Sequence, residues 1–257
     1  FESRWGHQPR LDSPRCRRRP LSSVADRRAR GARPSRPRSQ HFLRPAFAAQ
    51  LVRDAGIGRD DLVVDLGAGT GRLTAELARV ARHVIAVELD PVLARRLRGR
   101  WRNVSVVEGD ATRFRVPRES FRVVANLPFH RTTDLLHLLL DDPATPLQRA
   151  DLVVEWGVAF KRSVPWPSSI SGVVWGAFYE ATLSRRLPRE AFEPPPAADA
   201  GVLVFRRRAE PLVPGNSVVA YHRFVSSGFR NGAGRRSAAR ELDAHAWAAR
   251  FLTKIRE

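Results

Sequence analysis

The run Leu62 to Leu73, LVVDLGAGTGRL, constrains the chain more than any other stretch. Leu62, Val63 and Val64 form a continuous apolar segment, as suits a strand buried on both faces of a parallel sheet. Asp65 lies at the carboxyl end of that strand. Gly67, Gly69 and Gly71 then allow a sharp turn and a close approach of backbone to a ligand, and Thr70 is placed to cap a helix continuing through Glu76 and Leu77. The spacing is Gly-x-Gly-x-Gly rather than the Gly-x-Gly-x-x-Gly of dinucleotide sites, so the loop by itself marks a nucleotide-shaped cradle without naming its occupant.

The next segments narrow the occupant. His83 to Glu88 is a second apolar run ending in an acid, and Glu88 falls at about the interval where such an acid reaches ribose hydroxyls. Its bland alternative is a helix-start acid beside Asp90 and Pro91. Leu93 to Trp101 reads as a helix and Val104 to Val107 as a third strand, followed by Gly109-Asp110-Ala111. In a doubly wound sheet these strand ends share one edge, which gathers Asp65, Glu88 and Asp110 around the glycine loop. Three carboxylates repel pyrophosphate and favour a ligand carrying hydroxyls, an amine and a sulfonium, which is the chemistry of S-adenosylmethionine.

Phe121 to Ala125 reads as a fourth strand and ends in Asn126-Leu127-Pro128-Phe129. An adenine N6 amine is a poor nucleophile because its lone pair is delocalised into the ring. The Asn126 amide oxygen and the Leu127 carbonyl are acceptors suited to its two N–H bonds, Pro128 stiffens the turn, and Phe129 offers a face for an extruded base. The alternative is a strand-to-helix turn with Asn126 as its cap and Phe129 in the core.

Charge points the same way. The formal net charge is +19, more than solubility requires, and the usual partner of such a field is a polyanion, nucleic acid before an anionic membrane. Residues 1–38 hold twelve arginines against Glu2, Asp12 and Asp26, interrupted by prolines and glycines, and read as a basic, disordered tail that either contacts RNA or is simply solvated. The only cysteine, Cys16, excludes an intrachain disulfide and a cysteine metal cluster. No run of 18 apolar residues and no signal-type apolar segment is present, so a cytoplasmic protein with no membrane and no metal partner is expected.

Elsewhere, Pro45 to Ala55 reads as a helix with Phe47, Leu51 and Val52 on its apolar face. Asp134 to Leu140 reads as a helix, Asp151 to Val154 as a fifth strand, and Glu155 to Arg162 as a turn into a helix bearing Lys161 and Arg162, which either meet RNA phosphate or form a solvated face. Trp156, Trp166 and Trp175 lie in a stretch that is either a flap near the active edge or buried packing. Residues 179–208 hold the last strands, with Pro194 to Pro196 as a rigid extended connection. Residues 209–257 read as a small helical domain with helices over Val218 to Phe229 and Ser237 to Ile255.

Gln40-His41-Phe42-Leu43, Asp65-Leu66-Gly67-Ala68-Gly69-Thr70-Gly71, Glu88, Gly109-Asp110-Ala111 and Asn126-Leu127-Pro128-Phe129 together resemble the ribosomal RNA adenine-N6 methyltransferases. Within that family the set is most similar to the erythromycin-resistance (macrolide-lincosamide-streptogramin B) 23S rRNA enzymes. The resemblance covers residues 39–208 and includes Phe192-x-Pro194-x-Pro196. It implies an α/β fold, a Rossmann-like class I methyltransferase sheet at 39–208 followed by a helical RNA-binding domain at 209–257. It also implies S-adenosylmethionine held by Gln40, His41, Leu43, Asp65, Gly67, Gly69, Gly71, Glu88 (ribose), Leu89, Asp110 (adenine), Ala111 and Asn126. Asn126, Leu127, Pro128 and Phe129 would act on the target adenine of 23S ribosomal RNA, and Arg230, Arg235, Arg236 and Arg240 would contact RNA phosphate, beside the Lys161 and Arg162 candidates read from charge, in an expected monomer. His41 stands where the family usually has Asn. The alternatives are a small-subunit rRNA adenine dimethylase, a DNA adenine methylase, or a noncatalytic RNA-binding relative.

Overall fold

The structure, a computed structural model, describes residues 40–164, 169–231 and 242–256. The basic tail with Cys16, Trp166, and three of the expected RNA contacts, Arg235, Arg236 and Arg240, lie outside the described residues.

The core of the fold is a seven-stranded sheet. Its parallel part is built from β2 (Leu62–Leu66), β3 (His83–Glu88), β4 (Val104–Glu108), β5 (Phe121–Asn126) and β6 (Leu147–Glu155), in the order β4-β3-β2-β5-β6. Two further strands, β9 (Ala200–Arg207) and β7 (Tyr179–Leu187), extend it antiparallel beyond β6. Strand residues alternate between two buried clusters. Leu62, Val64 and Leu66 of β2, and Phe121, Val123 and Ala125 of β5, pack against α4 (Thr132–Leu140) and α6 (Ile170–Gly176). Val63 and Val124 face the opposite side, with α1 (Pro45–Ala55) and α2 (Arg72–Val80). Each fully buried aliphatic side chain contributes about 1.5–3 kcal/mol, so the uninterrupted apolar reading of these strands follows from coverage on both faces.

The remaining helices are α3 (Pro91–Leu97), α5 (Trp156–Ser163), α7 (Val218–Asn231) and α8 (Ala244–Lys254). Tyr221 and Val225 of α7, with Trp247, Ala248 and Phe251 of α8, join the cluster that holds α4 and α6, so the C-terminal helices pack as a continuation of that layer. Among the described residues no helix is long and apolar enough to cross a membrane, and no group of three His, Cys, Asp or Glu side chains is placed to hold a metal ion.

Several boundaries differ from the sequence expectation for local reasons. The helix expected at Leu93 to Trp101 is α3, capped by Asp90 with Pro91 at its start, and it ends before Gly99 at φ +74°. Thr70 does not cap α2: it is exposed, and the residue before α2 is Gly71, in the left-handed region and with no side-chain cap. The fifth strand reaches back to Leu147 because β5 pairs with it there, Phe121 opposite Leu147, and β9 pairs with it from Arg149 to Glu155. Trp175 is buried rather than part of a flap, and its indole N–H donates to Asp141 at 2.8 Å. A two-stranded clip was not foreseen. β1 (Phe42–Leu43) pairs antiparallel with β8 (Phe192–Glu193), and Arg72 ties it down by donating to the Leu43 carbonyl at 3.2 Å and to Glu193 at 2.8 Å.

Asp65 is a buried acid within β2, just before the glycine loop. It is 1% exposed, accepts from the Thr74 hydroxyl at 2.7 Å, and burial pushes its carboxyl up to about 7, against the opposing effect of the Thr74 hydrogen bond and with a smaller push from the Glu88 charge. A raised folded-state value means that this group favours the fold fully at pH below about 3.8, where both states are protonated, and that the contribution is lost as pH rises towards 7. Asp65→Asn keeps an acceptor for Thr74 and removes the titration. The melting temperature of Asp65→Asn should therefore gain on that of the wild type as pH rises from 4 to 7 and hold a constant lead above that. A difference independent of pH across this window would show that Asp65 does not titrate there.

Candidate active site

Parallel pairing sets the site. The register Leu66↔Val87, Glu88↔Glu108 and Asn126↔Val153 brings the carboxyl ends of β2 to β6 to one edge of the sheet. A cavity of about 460 Å³ opens there. Open clefts of about 590 and 630 Å³ lie elsewhere, beside Leu62 and His83 and between α7 and α8, away from these strand ends.

The cavity brings together Gln40, His41, Gly67, Gly69, Glu88, Leu89, Asp110, Ala111, Asn126, Leu127, Pro128 and Phe129, all expected from sequence. Leu43, Asp65 and Gly71 do not line it: Leu43 is buried in the clip, Asp65 lies beneath the loop, and Gly71 faces α3. Phe42, Val87, Thr112, His130, Arg131 and Leu135 line it without having been singled out. Phe42 was visible as part of its motif; Arg131, two positions past Phe129, carried no sequence signal.

The glycines serve the loop's own packing as much as any ligand. A Cβ on Gly69, at φ +57°, would fall 2.6 Å from the Phe42 ring, and one on Gly71, at φ +81°, would fall 2.4 Å from Leu97. Loop amides are also committed internally. Gly67 and Ala68 donate to the Val87 carbonyl at 2.9 and 3.0 Å, Gly69 donates to Glu88 at 2.6 Å, and Gly71 donates to the Ala68 carbonyl at 2.9 Å. A pyrophosphate site needs free N–H groups, and here they point at protein oxygens. What the walls offer instead is acceptors and apolar surface: the Glu88 and Asp110 carboxylates beside Val87, Leu89, Ala111 and Leu127.

Glu88 is 5% exposed and holds the loop and α3 together, since its second oxygen accepts from the Asp90 amide at 2.8 Å. Asp110 accepts from the Thr112 amide at 2.9 Å and hydroxyl at 2.8 Å, and these bonds hold its carboxyl below the usual range, helped by Arg131 and Arg113. A carboxylate with oxygens remaining to accept hydroxyl or amine protons suits a nucleoside with a cationic group, the fit expected of S-adenosylmethionine.

Asn126 is the last residue of β5. Its Nδ2 donates to the His41 carbonyl at 2.7 Å, and because a carbonyl can only accept, this contact fixes which end of the amide is which. The Asn126 Oδ1 is buried and has no hydrogen-bond partner; the Thr132 and Tyr221 hydroxyls are the other such side-chain atoms among the described residues, and neither residue lines the cavity. Phe129 is half-buried between the His41 ring, centroids 6.1 Å apart, and the edge of Phe192 at 6.4 Å. His41 is itself held through Nδ1, which donates to the Pro194 carbonyl at 3.0 Å.

The basic candidates divide. Lys161 and Arg230 are exposed, whereas Arg162 donates to Ser169 at 2.8 Å and stacks 5.0 Å from the Trp175 ring, so it braces α5 against α6.

Comparison with known proteins accords with this geometry. The family model of the ribosomal RNA adenine dimethylases matches residues 35–237. The chain is 35% identical over 169 residues to an rRNA adenine N-6-methyltransferase of Corynebacterium diphtheriae, covering 65% of this chain and 66% of that one. It is 37% identical over 192 residues to the mycinamicin-resistance protein MyrB of Micromonospora griseorubida, covering 71% and 60%. The chain thus spans a little under two thirds of the length of these relatives. The crystal structure of the 23S rRNA methyltransferase ErmE superposes with a TM-score of 0.69 at 26% identity, covering 84% of this chain and all of that one. With the model matched from the segment before the clip through the glycine loop, the Asn126 turn and α7, the chain belongs to the ribosomal RNA adenine dimethylase family.

Proposed function

We propose that the protein transfers a methyl group from S-adenosylmethionine to N6 of an adenine in 23S ribosomal RNA and thereby confers resistance to macrolide-type antibiotics. On this reading it works in the cytoplasm as a monomer. The observation that carries it is the buried, unpartnered Oδ1 of Asn126, a residue that lines an acid-walled cavity and whose amide is oriented through Nδ2 by the His41 carbonyl.

When bound, S-adenosylmethionine supplies a methyl group on a sulfonium. Glu88 accepts the ribose hydroxyls and Asp110 the exocyclic amine of its adenine, while Leu89 and Ala111 cover the ring. Phe129 stacks on the extruded target base. Asn126 Oδ1 and the Leu127 carbonyl would accept hydrogen bonds from the two N6 N–H groups, which would favour the pyramidal nitrogen with a localised lone pair as it takes the methyl group that the cofactor supplies. The nitrogen becomes cationic at that point, so its proton leaves to water without a strong base, and the same acceptors stabilise the developing charge. The names of the relatives, an rRNA adenine N-6-methyltransferase, a mycinamicin-resistance protein and a 23S rRNA methyltransferase, support this substrate class.

Methylation of deproteinised 23S and 16S RNA with labelled S-adenosylmethionine, followed by mapping of the labelled nucleotide, tests the substrate. Label confined to an adenine of 23S RNA is expected; label on 16S RNA would make the protein a small-subunit dimethylase, and no transfer to either would overturn the reading. Glu88→Ala should weaken S-adenosylhomocysteine binding by about 1.5–3 kcal/mol, the scale of hydrogen bonds to a charged group. Calorimetric affinity unchanged in a folded preparation would remove Glu88 from the ribose site.

A further inference from the structure

Arg131 lines the cavity, yet no part of the proposed transfer uses it. Its guanidinium sits at the rim, 39% exposed, and donates to the Thr112 hydroxyl at 2.9 Å. Two carboxylates share the rest of it at longer range, Asp134 at 3.3 Å and Asp110 Oδ2 at 3.4 Å. Charge-assisted N–H to carboxylate bonds are normally about 2.7–2.9 Å, so neither contact is at full strength and a better anion can draw the fork away. The backbone of the same residue is fixed, because the Arg131 amide donates to the Pro128 carbonyl at 2.8 Å within the turn that carries Phe129. A cation is therefore mounted on the target-base turn and rests 3.4 Å from the Asp110 carboxylate in the cavity wall.

The two oxygens of Asp110 are not equivalent. Oδ1 takes both the Thr112 amide and the Thr112 hydroxyl, while Oδ2 carries the Arg131 contact. An exocyclic amine that binds Asp110 competes with Arg131 for Oδ2. An RNA phosphate at the rim competes with Asp110 for Arg131, and offers the planar fork a bidentate partner. Both ligands thus favour the arrangement in which the guanidinium has left Asp110.

We infer that Arg131 is a positioning residue that makes cofactor and RNA binding cooperative, by exchanging Asp110 for an RNA phosphate when the adenine end of the cavity fills. The inference rests on the proposed function, which supplies both ligands. Since the two ligands share one displaced state, each raises the affinity of the other by the same factor.

The test is calorimetric titration of S-adenosylhomocysteine into the full chain, alone and with saturating unmodified 23S RNA transcript. The wild type should bind S-adenosylhomocysteine about 5-fold or more tightly with RNA present, the lower end of ordinary coupling between sites. In Arg131→Ala, and in Arg131→Gln, which keeps a donor for Thr112, that factor should fall to near one, while affinity without RNA stays equal or rises because a competitor for Asp110 is gone. A factor near one in the wild type, or one retained in both variants, would overturn the inference. So would a loss of RNA-free affinity with the factor intact, the mark of a residue that merely braces the Asp110 wall. A wild type that binds and methylates but shows no coupling rejects only this inference, whereas a wild type that binds no S-adenosylhomocysteine rejects the functional reading with it.

Discussion

The 2.7 Å bond from Asn126 Nδ2 to the His41 carbonyl is the contact on which the site depends. It commits Nδ2 and leaves the buried Oδ1 as the unpartnered end of the amide, and it couples the end of the fourth parallel strand to a segment that lies 85 residues earlier in the chain. A backbone acceptor only does this if the backbone is fixed. The fixing comes from the clip: Phe42 and Leu43 pair with Glu193 and Phe192, the Arg44 amide donates to the Ala191 carbonyl at 2.8 Å, Arg72 bridges Leu43 and Glu193, and the His41 ring holds the Pro194 carbonyl. The exposed ion pair in that set is worth little by itself; the buried Leu43 and Phe192 carry the clip through apolar burial. The Gln40 to Leu43 motif thus reaches Asn126 through its main chain, by the His41 carbonyl, while the His41 ring turns to the Pro194 carbonyl.

The glycine loop obeys the same logic of self-packing. Phe42 occupies the space over Gly69, Leu97 the space over Gly71, and Glu88 ties the loop amide to the start of α3. The loop is thereby held in one shape with its N–H groups turned inward and two carboxylates, Glu88 and Asp110, left at the cavity wall. That arrangement disfavours a polyphosphate and favours a nucleoside bearing positive charge.

Much of this was legible in the sequence, and for identifiable reasons. The runs of β3 and β5 are apolar because both faces are covered, whereas β4 is a partly exposed edge strand; the register gathers Glu88, Asn126 and, just past β4, Asp110 at one edge. What was not legible depended on partners distant in sequence. Asp65 ends its run like Glu88 but turns towards Thr74 and α2, so its burial follows from the pleat of β2 against a helix that sequence cannot orient. Gly71 looked like a ligand contact and is instead a contact with α3. The β1–β8 clip joins two dipeptides too short to show any period, and Arg131 acquires its place only because the turn after β5 folds back over Asp110 and Thr112.

The central claim is that Asn126 acts on the reacting nitrogen and does not merely finish a turn. Single-turnover methyl transfer by Asn126→Ala, measured beside its S-adenosylhomocysteine affinity and melting temperature on the same preparation, tests it most directly. The account predicts cofactor affinity within a few-fold of wild type and transfer slowed by about 10²- to 10³-fold, the cost of removing one preorganised polar partner of a transition state. A lowered melting temperature with undiminished transfer by the folded fraction would contradict it.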